Sequence, residues 1–157
     1  MGILSAITNP IVYTDANIFI YAFEGVPAVA AELQIFFEAL AVGKIKAVTS
    51  ELSLAEVLVK PIADGRHDIR VLYERAVRDS AGLAVVPITR KILVRAAEVR
   101  AQLKLRLPDA IHVATAEIHN CGTFLTNDHE LQKLPGFQVL MLSQFRGLPP
   151  KTAKGEK

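Results

Sequence analysis

Val12-Tyr13-Thr14-Asp15-Ala16-Asn17-Ile18-Phe19-Ile20-Tyr21 decides how the chain is read. A short apolar run rises to Thr14, meets Asp15 and restarts as a second apolar run. Asp is a weak strand former and a good helix cap, so it belongs at a strand-to-helix join. Two readings stay open for Asp15 on this stretch alone. One is a plain helix cap. The other is a metal-binding or catalytic carboxylate at the carboxyl end of a first parallel strand, where open α/β sheets place their ligands.

Working outward, strands and helices alternate. Ile11 to Thr14 reads as the first strand and Asn17 to Phe23 as a short helix. Ala28 to Val42 carries Val29, Leu33, Phe36, Phe37 and Leu40 at helical spacing, and Ile45 to Thr49 is the second strand. Ser50 caps a helix to about Val59, with Leu52, Ala55 and Val59 on one apolar face and Pro61 marking its end. Asp64 to Ser80 is a charged amphipathic helix with Ile69, Leu72 and Val77 as its stripe. Leu83 to Val86 is the third strand. Thr89 caps a helix to about Leu103, with Ile92, Ala96, Val99 and Leu103 facing inward. Asp109 to His119 is a helix rich in small residues, which allow close packing on a sheet, and Gly122 ends it. Thr123 to Leu125, a short helix at His129 to Lys133, and a strand at Phe137 to Leu142 complete the set. Such alternation implies a parallel sheet of about five strands covered on both faces.

Length and composition bound the rest. The 157 residues suit one domain, and 51% hydrophobic residues give it a sizeable core. Residues 1–145 are expected to form that domain, with 146–157 as a loose tail. The net charge of +2 and pI near 8.8 are compatible with nucleic acid without arguing for it. One cysteine, Cys121, excludes an internal disulfide and fits a reducing, cytoplasmic setting. Met1 to Pro10 has no signal-peptide pattern, and apolar runs stop well short of the roughly 18 residues of a membrane span.

Four acids fall at comparable joins. Asp15 follows the first strand, Glu56 lies on the helix after the second, Asp109 opens the helix before the fourth, and Asp128 follows the fourth. Right-handed crossovers put such joins on one rim. Glu51 is five residues from Glu56, so at about 100° per residue the two diverge by roughly 140°, and Glu51 falls to solvent. Four carboxylates in one pocket repel one another unless a cation or protons intervene. No His/Cys cluster suits zinc, so a hard divalent cation, Mg²⁺ or Mn²⁺, is expected. Such an ion lowers the pKa of water and stabilises phosphoryl charge, which points to phosphodiester hydrolysis. Lys104 and Arg106, beside the Asp109 motif, are candidates to contact phosphates or to be a solvated turn. His112 reads as packed or at the rim, and His129 as nearer the pocket. Phe36 and Phe37 are candidates for core or for a partner groove.

Asp15-Ala16-Asn17, Ser50 to Glu56, Leu107-Pro108-Asp109-Ala110-Ile111-His112-Val113-Ala114-Thr115-Ala116 and Leu125-Thr126-Asn127-Asp128 together resemble the successive motifs of PIN domains. The similarity is greatest to the VapC-like ribonuclease toxins of prokaryotic toxin–antitoxin pairs. Ala16 stands where Thr or Ser is more usual. The resemblance implies a three-layer α/β/α sandwich and Mg²⁺- or Mn²⁺-dependent endoribonuclease activity. It implies Asp15, Glu56, Asp109 and Asp128 as the acidic quartet, Asn17 orienting a carboxylate, and Ser50 and Thr126 hydrogen-bonding to the site. A homodimer and an inhibitory antitoxin are implied too. A DNA nuclease and a non-catalytic binding module share the pattern. A phosphorylated receiver domain fits poorly, because position 14 is Thr and no lysine ends the last strand.

Overall fold

A computed structural model describes residues 1–145, and the tail expected over 146–157 lies outside them. Five strands are found: β1 (Ile11–Thr14), β2 (Lys46–Ser50), β3 (Leu83–Val86), β4 (Thr123–Thr126) and β5 (Gln138–Met141). All pair in parallel, in the order β3-β2-β1-β4-β5. The chain builds outward from β1 through β2 to β3, then returns to place β4 on the other side of β1. Between β1 and β4 the order reverses, and there a parallel sheet opens a crevice at its carboxyl edge.

The pleat sorts side chains between two layers. Val12 and Leu125 face a core built with α1 (Ile3–Ala6), α2 (Ala16–Glu24), α3 (Pro27–Ala41), α4 (Glu51–Ala63) and α5 (His67–Ala76). Tyr13 and Phe124, their neighbours in sequence, face a core built with α6 (Arg90–Leu103) and α7 (Leu107–Ile118). On α7, Ala110, Ala114 and Ala116 are fully buried, as close packing of a small-residue helix requires. No single helix among the described residues is long and apolar enough to cross a membrane.

Several local expectations are corrected. Pro61 does not end α4 but lies in its last turn, where only one backbone bond is forfeited. The stop is Gly65, in the left-handed conformation at φ 66°. Arg66 N–H then reaches Pro61 O at 2.8 Å and Gly65 N–H reaches Ile62 O at 3.2 Å, closing a Schellman motif. The same break shortens the next helix to α5, which buries Tyr73 and leaves Leu72 exposed. The buried face of α4 is Ser53, Val57 and Pro61, so Ala55 and Val59 point outward. Leu103 lies at the exposed end of α6. Asn120, at φ 57°, turns the chain out of α7, where Gly122 was expected to. Helix α1 was not foreseen; its Ile3 N–H donates to the buried Glu32 carboxylate of α3 at 2.8 Å.

Candidate active site

At the carboxyl edge, each acid is placed by the element that carries it. Asp15 leaves β1 and caps α2, accepting from Ala16 N–H at 2.8 Å. Its other oxygen accepts from the Thr126 hydroxyl at 2.6 Å and from the Asn17 amide at 3.2 Å. Thr126 Oγ1 in turn accepts from Asp128 N–H at 3.0 Å, while Asp128 caps the short 3₁₀ turn His129–Leu131 through Glu130 N–H at 3.0 Å. Asn17 Oδ1 accepts from Asn127 N–H at 3.1 Å, tying α2 to the end of β4. One hydroxyl and one amide thus hold two acids from adjacent parallel strands.

Asp109 enters from the first turn of α7, where the helix dipole favours a carboxylate. It is buried, and Arg106 Nε approaches its Oδ2 at 3.3 Å. Burial, and then the charges of Asp15 and Asp128, push its pKa up to about 6 against the opposing pull of Arg106 and His112. The three aspartates line a single space, which is why the charges of two of them act on the third.

Glu56 projects from α4 into the same space. These four acids line one cleft of about 450 Å³, together with Asn17, Lys60 and Arg106. Among the described residues, no three His, Cys, Asp or Glu side chains already stand as a metal-holding group. The donor chemistry nonetheless fits a hard divalent cation: the acidic lining is carboxylate oxygen, and its like charges are close enough to raise one pKa.

The remaining expected residues separate. Arg106 lines the cleft, whereas Lys104 sits outside its lining at the left-handed end of α6. Ser50 caps α4 through Leu52 N–H at 3.0 Å and does not line the cleft. His129 is exposed away from it. Lys60 was not anticipated; its signal is the spacing of one helical turn after Glu56. His112 was read as packed or at the rim. It is fully buried, yet its ring bonds to Glu56 and to Tyr13. Phe36 is core, while Phe37 lines a separate apolar groove of about 600 Å³ whose walls, among the described residues, carry no titratable group.

Comparison with known proteins follows the geometry. The family model for the PIN domain matches residues 12–136. No curated protein matches. Among solved structures, a toxin–antitoxin complex from Klebsiella pneumoniae is similar at 24% identity and TM-score 0.64, over 83% of this chain and 97% of that one. VapBC2 from Rickettsia felis, bound to a DNA fragment from its promoter, is similar at 18% identity and TM-score 0.67, over 83% and 98%. VapC20 from Mycobacterium tuberculosis, a sarcin-ricin loop cleaving toxin, is similar at 16% identity and TM-score 0.59, over 72% and 86%. At these identities the likeness is one of fold.

Proposed function

The chain belongs to the PIN domain family, and on that premise we propose that it is a metal-dependent endoribonuclease, the toxin of a toxin–antitoxin pair. The observation that carries this reading is the cleft itself: Asp15, Glu56, Asp109 and Asp128, from four separate segments, face one space that Lys60 and Arg106 also line. The toxin–antitoxin complexes and the sarcin-ricin loop cleaving toxin among the structural neighbours support it.

Asp15, Asp109 and Asp128 would hold Mg²⁺ or Mn²⁺, with Glu56 as a further ligand or a base. When bound, such a cation makes water more acidic and stabilises charge on a phosphoryl oxygen. The chain's own residues supply the rest. Thr126 and Asn17 fix the Asp15 carboxylate. Lys60 and Arg106 offset the repulsion between an acidic cleft and a phosphate backbone. Glu56 offers a carboxylate that can take a proton from the attacking water. In-line attack by water leaves a 5′-phosphate and a 3′-hydroxyl. Single-stranded or looped RNA is the expected substrate, since its backbone can enter a narrow cleft. A second copy of the chain and an antitoxin are the proposed partners.

The test is cleavage of end-labelled single-stranded RNA by the purified protein with Mg²⁺, with Mn²⁺ and with EDTA, single-stranded DNA and Asp15→Asn being run alongside. Metal-dependent RNA cleavage that disappears in the variant supports the assignment. Near-normal cleavage by folded Asp15→Asn sinks it, and cleavage of DNA alone transfers the site to a different substrate.

A further inference from the structure

Glu56 differs from the three aspartates. They are buried and held at strand ends or a helix start, whereas Glu56 lies on an outward-facing stretch of α4 with its side chain 37% exposed. A glutamate there has three side-chain torsions to fix. The cleft also repels it, because Asp15, Asp109 and Asp128 carry the same charge. Its hydrogen bond to His112 Nε2 opposes both effects.

His112 is well suited to that work. It sits on α7 one turn beyond Asp109 and has no exposed surface. Its Nδ1 meets the Tyr13 hydroxyl at 2.5 Å. Tyr13 is also fully buried, stacked on Phe124 with ring centroids 4.9 Å apart, and stands two residues before Asp15 on β1. Asp15 Oδ1 lies 3.8 Å from Nε2, beyond hydrogen-bond reach, so the Nε2–H is directed to Glu56. A carboxylate only accepts, so Nε2 carries the hydrogen whether the ring is neutral or charged.

We propose that His112 is a positioning residue: it fixes Glu56 in the acidic cleft and is itself fixed by the Tyr13 hydroxyl. β1, α7 and α4 are thereby linked through one imidazole. The proposal rests on the nuclease reading for its catalytic consequence, but not for its geometry.

Two measurements test it. In ¹⁵N-histidine-labelled protein, the His112 Nε2–H should exchange slowly and shift on Glu56→Gln, with the backbone spectrum otherwise retained. In RNA cleavage, His112→Leu should lower kcat by about 10–100-fold with KM little changed. His112→Gln, which keeps a donor near the Nε2 position, should recover much of that loss. In a Glu56→Gln background, His112→Leu should add nothing further. Independent, multiplying losses in that cycle would overturn the proposal, as would an Nε2–H signal indifferent to Glu56→Gln. If the wild-type protein cleaves no RNA, the nuclease reading falls alone and the spectrum still decides the positioning. If His112→Leu does not fold, Glu56→Gln and His112→Gln still give the answer.

Discussion

Strand β4 begins and ends in a buried threonine, and the two rims it joins behave differently. At the amino rim, the Thr123 hydroxyl faces Asn9 O at 2.9 Å and Gln138 Oε1 at 3.1 Å. Gln138 Oε1 also accepts from Thr8 N–H at 2.9 Å, and its Nε2 donates to Ala6 O at 2.6 Å. Gly122 fits beneath Asn9 so closely that a Cβ there would lie 2.1 Å from Asn9 Nδ2. Every group in this network is neutral, and together they strap the first ten residues to the sheet. At the carboxyl rim, Thr126 does a similar job for Asp15 and Asp128. Buried polarity is therefore not the mark of a site. What distinguishes the carboxyl rim is its ionisable groups: four carboxylates share one cleft with Lys60 and Arg106.

The sharpest contrast comes from one change at each rim. Asp15→Asn should reduce RNA cleavage by more than about 100-fold, beyond the loss expected for an outer-shell partner, while leaving the melting curve close to wild type. Gln138→Ala should cost about 1–3 kcal/mol in urea unfolding and leave cleavage per folded molecule intact. Opposite outcomes would mean that the two rims have been assigned the wrong way round.

Asp109 offers a test by pH. Its folded pKa of about 6 lies above the unfolded value of about 3.9, so the folded state binds more protons between them. Stability should therefore fall as pH rises through this window. Asp109→Asn should unfold at higher denaturant near pH 7.5, by roughly 1–2 kcal/mol, and show no such gain near pH 4. Added Mn²⁺ should raise the wild-type melting temperature at pH 7.5 and do so less at pH 5, where protons compete. A melting temperature indifferent to Mn²⁺ at both values would count against a cation in the cleft.

The smallest effects come from three threonines changed to valine. Thr126→Val should slow cleavage about tenfold by freeing Asp15. Thr123→Val should lower stability by about 1 kcal/mol without a catalytic effect. Thr14→Val should be neutral or slightly stabilising, since Thr14 Oγ1 is buried with no hydrogen-bond partner among the described residues. Urea curves and initial rates on all three would rank them.

The strands were legible because each short apolar run is bounded by a polar or turn residue. Asp15, Asp109 and Asp128 were legible because a carboxylate interrupts such a run or opens a helix. Glu56 was singled out by its place on the helix after β2, but the face of that helix read as buried, Leu52, Ala55 and Val59, is partly outward, and Ser53, Val57 and Pro61 are buried instead. Residue character alone did not reveal that Val59 is 67% exposed. Pro61 misled because the local rule was applied without the rescue that Gly65 provides four residues later. His112 was hidden by its neighbours, since a histidine among Ala, Val and Ile looks like packing until its partners, 56 and 99 residues away in sequence, are in place. α1 was illegible for the same reason: four residues have little intrinsic helical stability, and Glu32 holds the turn from 29 positions away.

The two-residue interval between Tyr13 and Asp15 has a bearing on how this chain can change over time. Substitutions along β1 leave that interval untouched, but inserting or deleting a single residue there exchanges the faces of the strand. Tyr13 would leave the layer that holds His112, and Asp15 would no longer follow in step with Thr126. Lineages descended from this sequence should therefore tolerate changes of length in exposed turns far from β1, yet keep the count from Val12 to Asn17 fixed, as a lock keeps the spacing of its pins while the key's handle changes shape.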